Sequence, residues 1–230
     1  MSRLPVPPAP PRTAECRRAV PSGTLIAMLL TLAVAPARAG TLHGSVSLGH
    51  AAGPARGAVR DVVVWLEHVP EKTERQLTHP PFRLFRRRPK PPPLASMVEA
   101  NLHFQPRVVA IAVGSRMVLR NQDNVWHGPF SVSPGHRFDL GKRAPGRGDT
   151  LQFDSIGVVA LRCDIHPDMS AWVIVTPNHA FTRPDSAGGW RLPELPAGRY
   201  VVRAWHPDSG ELRRSVDVPA HGAVALPLRW

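Results

Sequence analysis

The sequence predicts an all-β protein built as two small β-sandwiches, and three observations predict it. Pro and Gly, 27 and 18 of 230 residues, punctuate most of the chain. Between them stand short runs, alternating or wholly apolar, rich in Val, Ile, Leu and Trp. No stretch beyond residue 39 keeps an apolar repeat at 3.6 residues, so helices should be short or absent. Apolar residues make up 43% of the chain, enough for a packed core, and two cysteines are too few to staple 230 residues as a disulfide miniprotein.

The first 39 residues read as a secretory signal peptide. Arg3, Arg12, Arg17 and Arg18 form a basic leader, Leu25 to Ala35 is an apolar run of 11 residues, and Ala37-Arg38-Ala39 is a small-residue cleavage pattern before Gly40. Such a run is too short for a stable membrane-spanning helix, so cleavage after Ala39 and a periplasmic location are expected, with no membrane span later in the chain. Cleavage removes Cys16 and leaves Cys163 alone in an oxidising compartment, where a single thiol has to be buried, used or paired with another molecule. It also removes five Arg and one Glu from totals of 29 bases and 17 acids, leaving a mature excess of about +8. Export means that nucleic acid is not expected as a partner.

Strands follow in order. Leu42 to Leu48 and Val59 to Glu67 come first. Residues 70–97 read as a basic, Pro-rich loop, because Arg83, Arg86, Arg87, Arg88 and Lys90 run into Pro91-Pro92-Pro93 and cannot be buried. Val98 to Phe104, Val108 to Val113, Arg116 to Asn121, Leu151 to Asp154, Val158 to Cys163 and Ala171 to Thr176 make a first sandwich over residues 98–177. Gly189 to Leu192, Arg199 to Trp205, Glu211 to Val218 and Ala223 to Leu228 follow it. The two strands before the basic loop form only a marginal ribbon on their own. They are expected to pair with the C-terminal strands, making residues 41–69 and 178–230 one discontinuous sandwich that carries residues 98–177 as an insertion.

Chemistry concentrates in Leu161-Arg-Cys163-Asp-Ile-His166-Pro-Asp-Met169, which places a thiol, an imidazole and a thioether at Cys-x-x-His-x-x-Met spacing on one short loop. Soft sulfur donors with imidazole suit copper, and two His with one Cys in a plane plus a weak axial Met form the blue-copper set. Asn121-Gln-Asp-Asn-Val-Trp-His127 supplies the second histidine at the end of another strand. Loops at one end of a sandwich can converge although distant in sequence. The remaining histidines, among them His103 and His136, show no ligand spacing, and Met97 and Met117 read as core or loop residues. Trp126 and Trp172 read as core or rim packing. Covalent haem would need Cys-x-x-Cys-His, structural zinc would need four Cys or His ligands, and no Gly-rich phosphate loop occurs.

The ligand loop resembles that of the cupredoxins, most closely the amicyanin type with its Cys-x-x-His-Pro-x-Met loop, and the Asn121 to His127 spacing fits as well. With Phe104-x-Pro106, Gly114, Asn121-x-Asp123, Phe130-Ser131, Phe138 and Gly157, residues 98–177 are similar to plastocyanin-like proteins labelled methylamine-utilisation proteins. The resemblance implies a Greek-key sandwich holding one type 1 copper ion, Cu(I)/Cu(II), with His127, Cys163 and His166 as equatorial ligands and Met169 as the axial one. Asn121 would tie the two loops together from behind the ligands. The resemblance further implies a carrier of single electrons between redox proteins of the dehydrogenase or c-type cytochrome class, not an enzyme, with His166 as the exit point. One departure stands out: the residue after the upstream histidine, commonly Asn in these families, is Gly128. Asp164 and Asp168 flank the ligands, and their charge is expected to favour Cu(II).

The flanking pieces resemble a carboxypeptidase regulatory-like, transthyretin-related sandwich through Gly44-Ser-Val, Val62-Val-Val-Trp-Leu66, Asp185, Gly188, Trp190-Arg-Leu192 and Leu195-Pro196-Ala-Gly198-Arg-Tyr200. That resemblance implies a structural or adhesion module without chemistry. Two other readings stay open at this stage: copper storage, delivery or sensing without electron transfer, and a metal-free envelope interaction module.

Overall fold

The computed structural model describes residues 39–49, 58–78 and 94–230, all within one compact unit. The expected leader up to Arg38, with Cys16, and the basic cluster from Arg83 to Pro93 lie outside the described residues, and Ala39, the leader's expected last residue, begins the first strand. The chain is all-β, as the sequence predicts. In order it forms β1 (Ala39–Ser47), β2 (Val63–Leu66), the helix α1 (Glu71–Thr78), β3 (Ala95–Ala100), β4 (His103–Gln105), β5 (Val108–Ala112) and β6 (Ser115–Asn121). Then come β7 (Pro129–Ser133), β8 (His136–Asp139), β9 (Gly148–Phe153), β10 (Gly157–Cys163), β11 (Ser170–Thr176), β12 (Phe181–Thr182) and β13 (Gly189–Arg191). The last are β14 (Leu195–Pro196), β15 (Gly198–His206), β16 (Gly210–Val218), β17 (Ala223–Ala225) and β18 (Leu228–Arg229). Among the described residues no helix is long and apolar enough to cross a membrane.

Two sheets, ordered β4-β3-β6-β9 and β5-β11-β10-β7-β8, enclose one core. Strands that alternate, such as β6, send Met117 and Leu119 inward to meet Phe104, Phe153, Leu161 and Val173. The wholly apolar runs of β5 and β11 have a different cause. A strand buried on both faces has no solvent side on which to place polar residues. Val108 of β5 and Ile174 of β11 lie on the outer face and pack on Val63, Trp65 and Trp205 of the other sandwich.

That other sandwich is built from β1 with β13, β14, β17 and β18, facing a sheet ordered β12-β2-β15-β16. Strand β2 runs antiparallel to β15, with Val64 opposite Ala204 and Leu66 opposite Val202, and also pairs with β12. Its alternation divides the two cores: Val64 and Leu66 join Leu42, Trp190 and Val202, whereas Val63 and Trp65 face the first sandwich. Asn178 makes the crossing between sandwiches, donating from Nδ2 to Leu66 O at 2.9 Å and accepting from the Ala180 amide at 3.0 Å.

Several boundaries depart from the sequence reading. Residues 70–97 are not all loop: α1 occupies 71–78 and β3 begins at Ala95. The expected strand from Val98 to Phe104 is a hairpin, folded at Asn101 and Leu102 with φ of 55° and 60°. A left-handed Leu has little local reason to form, and its cause lies in the site described below. Residues 58–61 form a 3-10 turn rather than the start of a strand. Strands β7 and β8 went unpredicted because Pro129 at the start of β7 reads as a breaker, yet Pro is admissible at a strand's first residue.

Candidate metal centre

His127 lies between β6 and β7 with no solvent exposure. Its main chain exchanges hydrogen bonds with Arg143, N–H to O at 3.1 Å in one direction and 2.6 Å in the other. Asn121 at the end of β6 holds this loop: its Nδ2 donates to Val125 O and Arg143 O, and its Oδ1 accepts from the Asp123 amide. The expectation that Asn121 ties the two ligand-bearing loops together needs correcting. Its bonds run within its own loop and to the Arg143 segment, while the link to the Cys163 loop runs through Gly128. The Gly128 amide donates to Cys163 Sγ at 3.3 Å, and its carbonyl accepts from the Asp164 amide at 3.0 Å.

Cys163 ends β10, directly opposite Pro129, and is a buried free thiol. The chain then turns, with Met169 N donating to His166 O, and brings His166 back over the sulfur. Cys163 Sγ stands 3.9 Å from His127 Nδ1 and 3.7 Å from His166 Nδ1, and the two Nδ1 atoms are 3.1 Å apart. Met169 is 1% exposed and belongs to the same core cluster as Cys163. The structure thus brings His127, Cys163 and His166 together and buries Met169 in the core cluster to which Cys163 belongs. His136 lies at the opposite end of the sandwich, bonded to Ser155 O, and His103 bonds Asn101 O in the β3–β4 turn.

Asp123 shapes this group from behind. His127 Nε2 donates to Asp123 Oδ2 at 2.9 Å, which aims Nδ1 toward the sulfur and His166. The carboxylate also accepts the amides of Asn101 at 2.6 Å and Leu102 at 3.0 Å. Those two bonds account for the left-handed turn: its amides point at a charge. Burial raises the Asp123 carboxyl, but the Leu102 and Asn101 amides and His127 outweigh it and hold the group below its usual value. Position 123 entered the sequence reading only as part of a pattern. The signal available was its spacing of four residues from His127.

Glu99, opposite Asn121 in the β3–β6 ladder, is a second residue without a role in the sequence reading. It is 1% exposed, and its Oε1 has no hydrogen-bond partner. Burial, and then the like charges of Asp123 and Asp149, push its carboxyl up to about 7 against the opposing influence of Arg143. A single acidic residue at an inward position of β3 was the clue the sequence held.

The donor set fits a single transition-metal ion. Bonds of about 2.0–2.3 Å in a trigonal arrangement separate their donor atoms by about 3.5–4 Å, and closing an angle toward tetrahedral brings a pair nearer. The two sulfur–nitrogen separations match the first figure, and the nitrogen–nitrogen separation matches a closed angle. Around this cluster Leu102, Val125, Trp126 and Ile165 are exposed at 47%, 42%, 54% and 37%, forming an apolar rim.

Fold and site together define an all-β protein with a His–Cys–His donor group, His127 and Cys163 buried and His166 half-buried, the one such group among the described residues. No protein-family model and no curated protein matches the chain. Solved structures do. A reduced Cu(I) form of an amicyanin variant at pH 4 is 18% identical, over 36% of this chain and 81% of that one, with a TM-score of 0.34. A copper-containing nitrite reductase from Thermus scotoductus SA-01 is 21% identical over 43% of this chain and 26% of its own, with a TM-score of 0.36. A purple cupredoxin from Nitrosopumilus maritimus is 22% identical over 36% of this chain and 99% of its own, with a TM-score of 0.33.

Proposed function

We propose that the chain is a periplasmic type 1 copper protein that carries single electrons between redox proteins, of the dehydrogenase or c-type cytochrome class, and is not itself an enzyme. The observation that supports this reading is the convergence of one thiol and two imidazole nitrogens, 3.1, 3.7 and 3.9 Å apart, in a pocket already shaped by Asp123 and Gly128. Soft sulfur with imidazole selects copper over the hard, oxygen-seeking cations. Bound there, one copper ion would supply the Cu(I)/Cu(II) couple that takes up and releases single electrons.

The residues of this chain do the rest. His127, Cys163 and His166 would hold the ion, with Met169 as a further soft donor. Asp123 fixes the orientation of His127, and the Gly128 amide draws charge from the sulfur. Burial of Cys163 protects an otherwise solitary thiol from the oxidising compartment to which the leader directs it. His166, half-buried at the rim with Ile165 and Trp126, is where a partner docks and the electron leaves. Storage is disfavoured, because beyond residue 39 the chain offers only Met97, Met117 and Met169 besides Cys163 as soft donors, few for a dedicated Cu(I) carrier. The second sandwich acts as a structural module.

Titration of the purified mature chain with Cu(II) tests this. The expected result is an intense visible thiolate-to-copper band that saturates at one ion per chain and bleaches and returns on reduction and reoxidation. Tight, colourless Cu(I) binding alone would replace electron transfer by storage or delivery, and no binding would leave an interaction module.

A further inference from the structure

Gly128 takes the position where the resembling families commonly carry Asn, and the structure shows what fills the space. A Cβ placed on Gly128 would fall 1.7 Å from Asp164 Oδ1, 2.5 Å from its Cγ and 3.0 Å from its Oδ2. The backbone of Gly128 is not in the left-handed region, so what glycine provides there is the space that the Asp164 carboxylate occupies, and not a conformation. Two main-chain bonds fix the approach: the Gly128 amide to Cys163 Sγ, and the Asp164 amide to the Gly128 carbonyl. The carboxylate of Asp164 therefore rests on the residue whose amide caps the sulfur, one position along the chain from that sulfur. Asp168, the other acid on the loop, is exposed.

We infer that Gly128 and Asp164 form one positioning unit, a niche that seats a carboxylate beside the thiolate and so biases the site toward the more highly charged oxidation state of its ion. The electrostatic half of this inference rests on the copper reading above; the steric half does not. A negative charge near a metal stabilises the divalent ion more than the monovalent one, so the seated carboxylate lowers the reduction potential. Asp164 is exposed, so salt screens the effect.

The test is a double-mutant cycle with two readouts. In the metal-free protein, thermal unfolding is measured for Gly128→Ala, Asp164→Ala and the double variant. The niche predicts that the effect of Gly128→Ala on the midpoint, small because the exposed Asp164 side chain can swing aside, changes when Asp164 is already Ala. Additive effects would overturn the niche. In the copper-loaded protein, Asp164→Asn keeps the shape and removes the charge, while Gly128→Ala keeps the charge and expels it from its seat. Both should raise the midpoint potential, with the ratio of Cu(II) to Cu(I) affinity falling roughly threefold to tenfold at low salt. The difference from the parent should shrink as ionic strength rises, which a purely structural role would not produce. An unchanged potential in Asp164→Asn, or a shift indifferent to salt, would overturn the electrostatic role. Absence of a thiolate-to-copper band in the parent protein would sink the copper reading and leave the metal-free cycle still decisive for the niche.

Discussion

Replacing Asp123 by Ala is expected to weaken copper binding by roughly 10- to 100-fold, the usual cost of losing the group that orients a ligand histidine. The side chain accepts three hydrogen bonds, from His127 Nε2 and from the Asn101 and Leu102 amides. Its loss also leaves the left-handed Asn101–Leu102 turn without a partner, which costs about 1–3 kcal/mol of stability. Asp123→Asn separates the two effects. An amide oxygen at the Oδ1 position still receives the Asn101 N–H, but the NH2 at the Oδ2 position then meets the Leu102 N–H, so stability returns only in part. Its NH2 group facing His127 Nε2, however, favours the tautomer with the proton on Nδ1, the atom that faces the sulfur. Copper affinity should therefore stay low in Asp123→Asn. Competition with a chelator of known affinity measures the binding, and urea unfolding of the metal-free protein measures the stability. Recovery of both together would mean that Asp123 acts through folding alone.

The second large effect concerns pH. Glu99 is held at about 7 in the folded chain against the usual 4.5. Between those values the folded protein keeps a proton that the unfolded chain has released. Stability is therefore fully present below about pH 4.5 and declines as pH rises to about 7, by on the order of 3 kcal/mol in total. Asp123 contributes with the opposite sign and lower down. Its depressed carboxyl adds stability that is present above its usual 3.8 and lost as pH falls through its folded value. Glu99→Gln keeps the shape and removes the titration. Urea unfolding across pH 4.5–7 should show a falling free energy in the parent protein and a flatter profile in the variant. A parallel slope in both would place the proton elsewhere.

The two consequences draw on residues that were not equally legible in the sequence. Cys163, His166 and His127 could be read directly, because their chemistry is unusual and their spacing is local to strand ends. The all-β class was legible for a similar reason, since alternation and punctuation are local signals. Asp123 was hidden because its role depends on amides at Asn101 and Leu102, on a turn that forms only when those amides meet the carboxylate. Glu99 was hidden because burial of an acid is decided by tertiary packing. The apolar runs of β5 and β11 were recognisable as strands, but the cause of their second apolar face is Val63, Trp65 and Trp205, more than 30 residues away in each direction. The reason for Gly128 was hidden as well, because the Asp164 carboxylate that occupies the space of its missing Cβ reaches it only in the folded chain.

X-ray absorption at the copper edge of the loaded chain, compared with Cys163→Ser, addresses the donor set most directly. One sulfur and two imidazole nitrogens should appear as near neighbours of copper, and the short sulfur contribution should vanish in the serine variant. A shell of nitrogen and oxygen alone in the parent protein, unchanged by the substitution, would contradict the closure of Cys163, His127 and His166 around one ion.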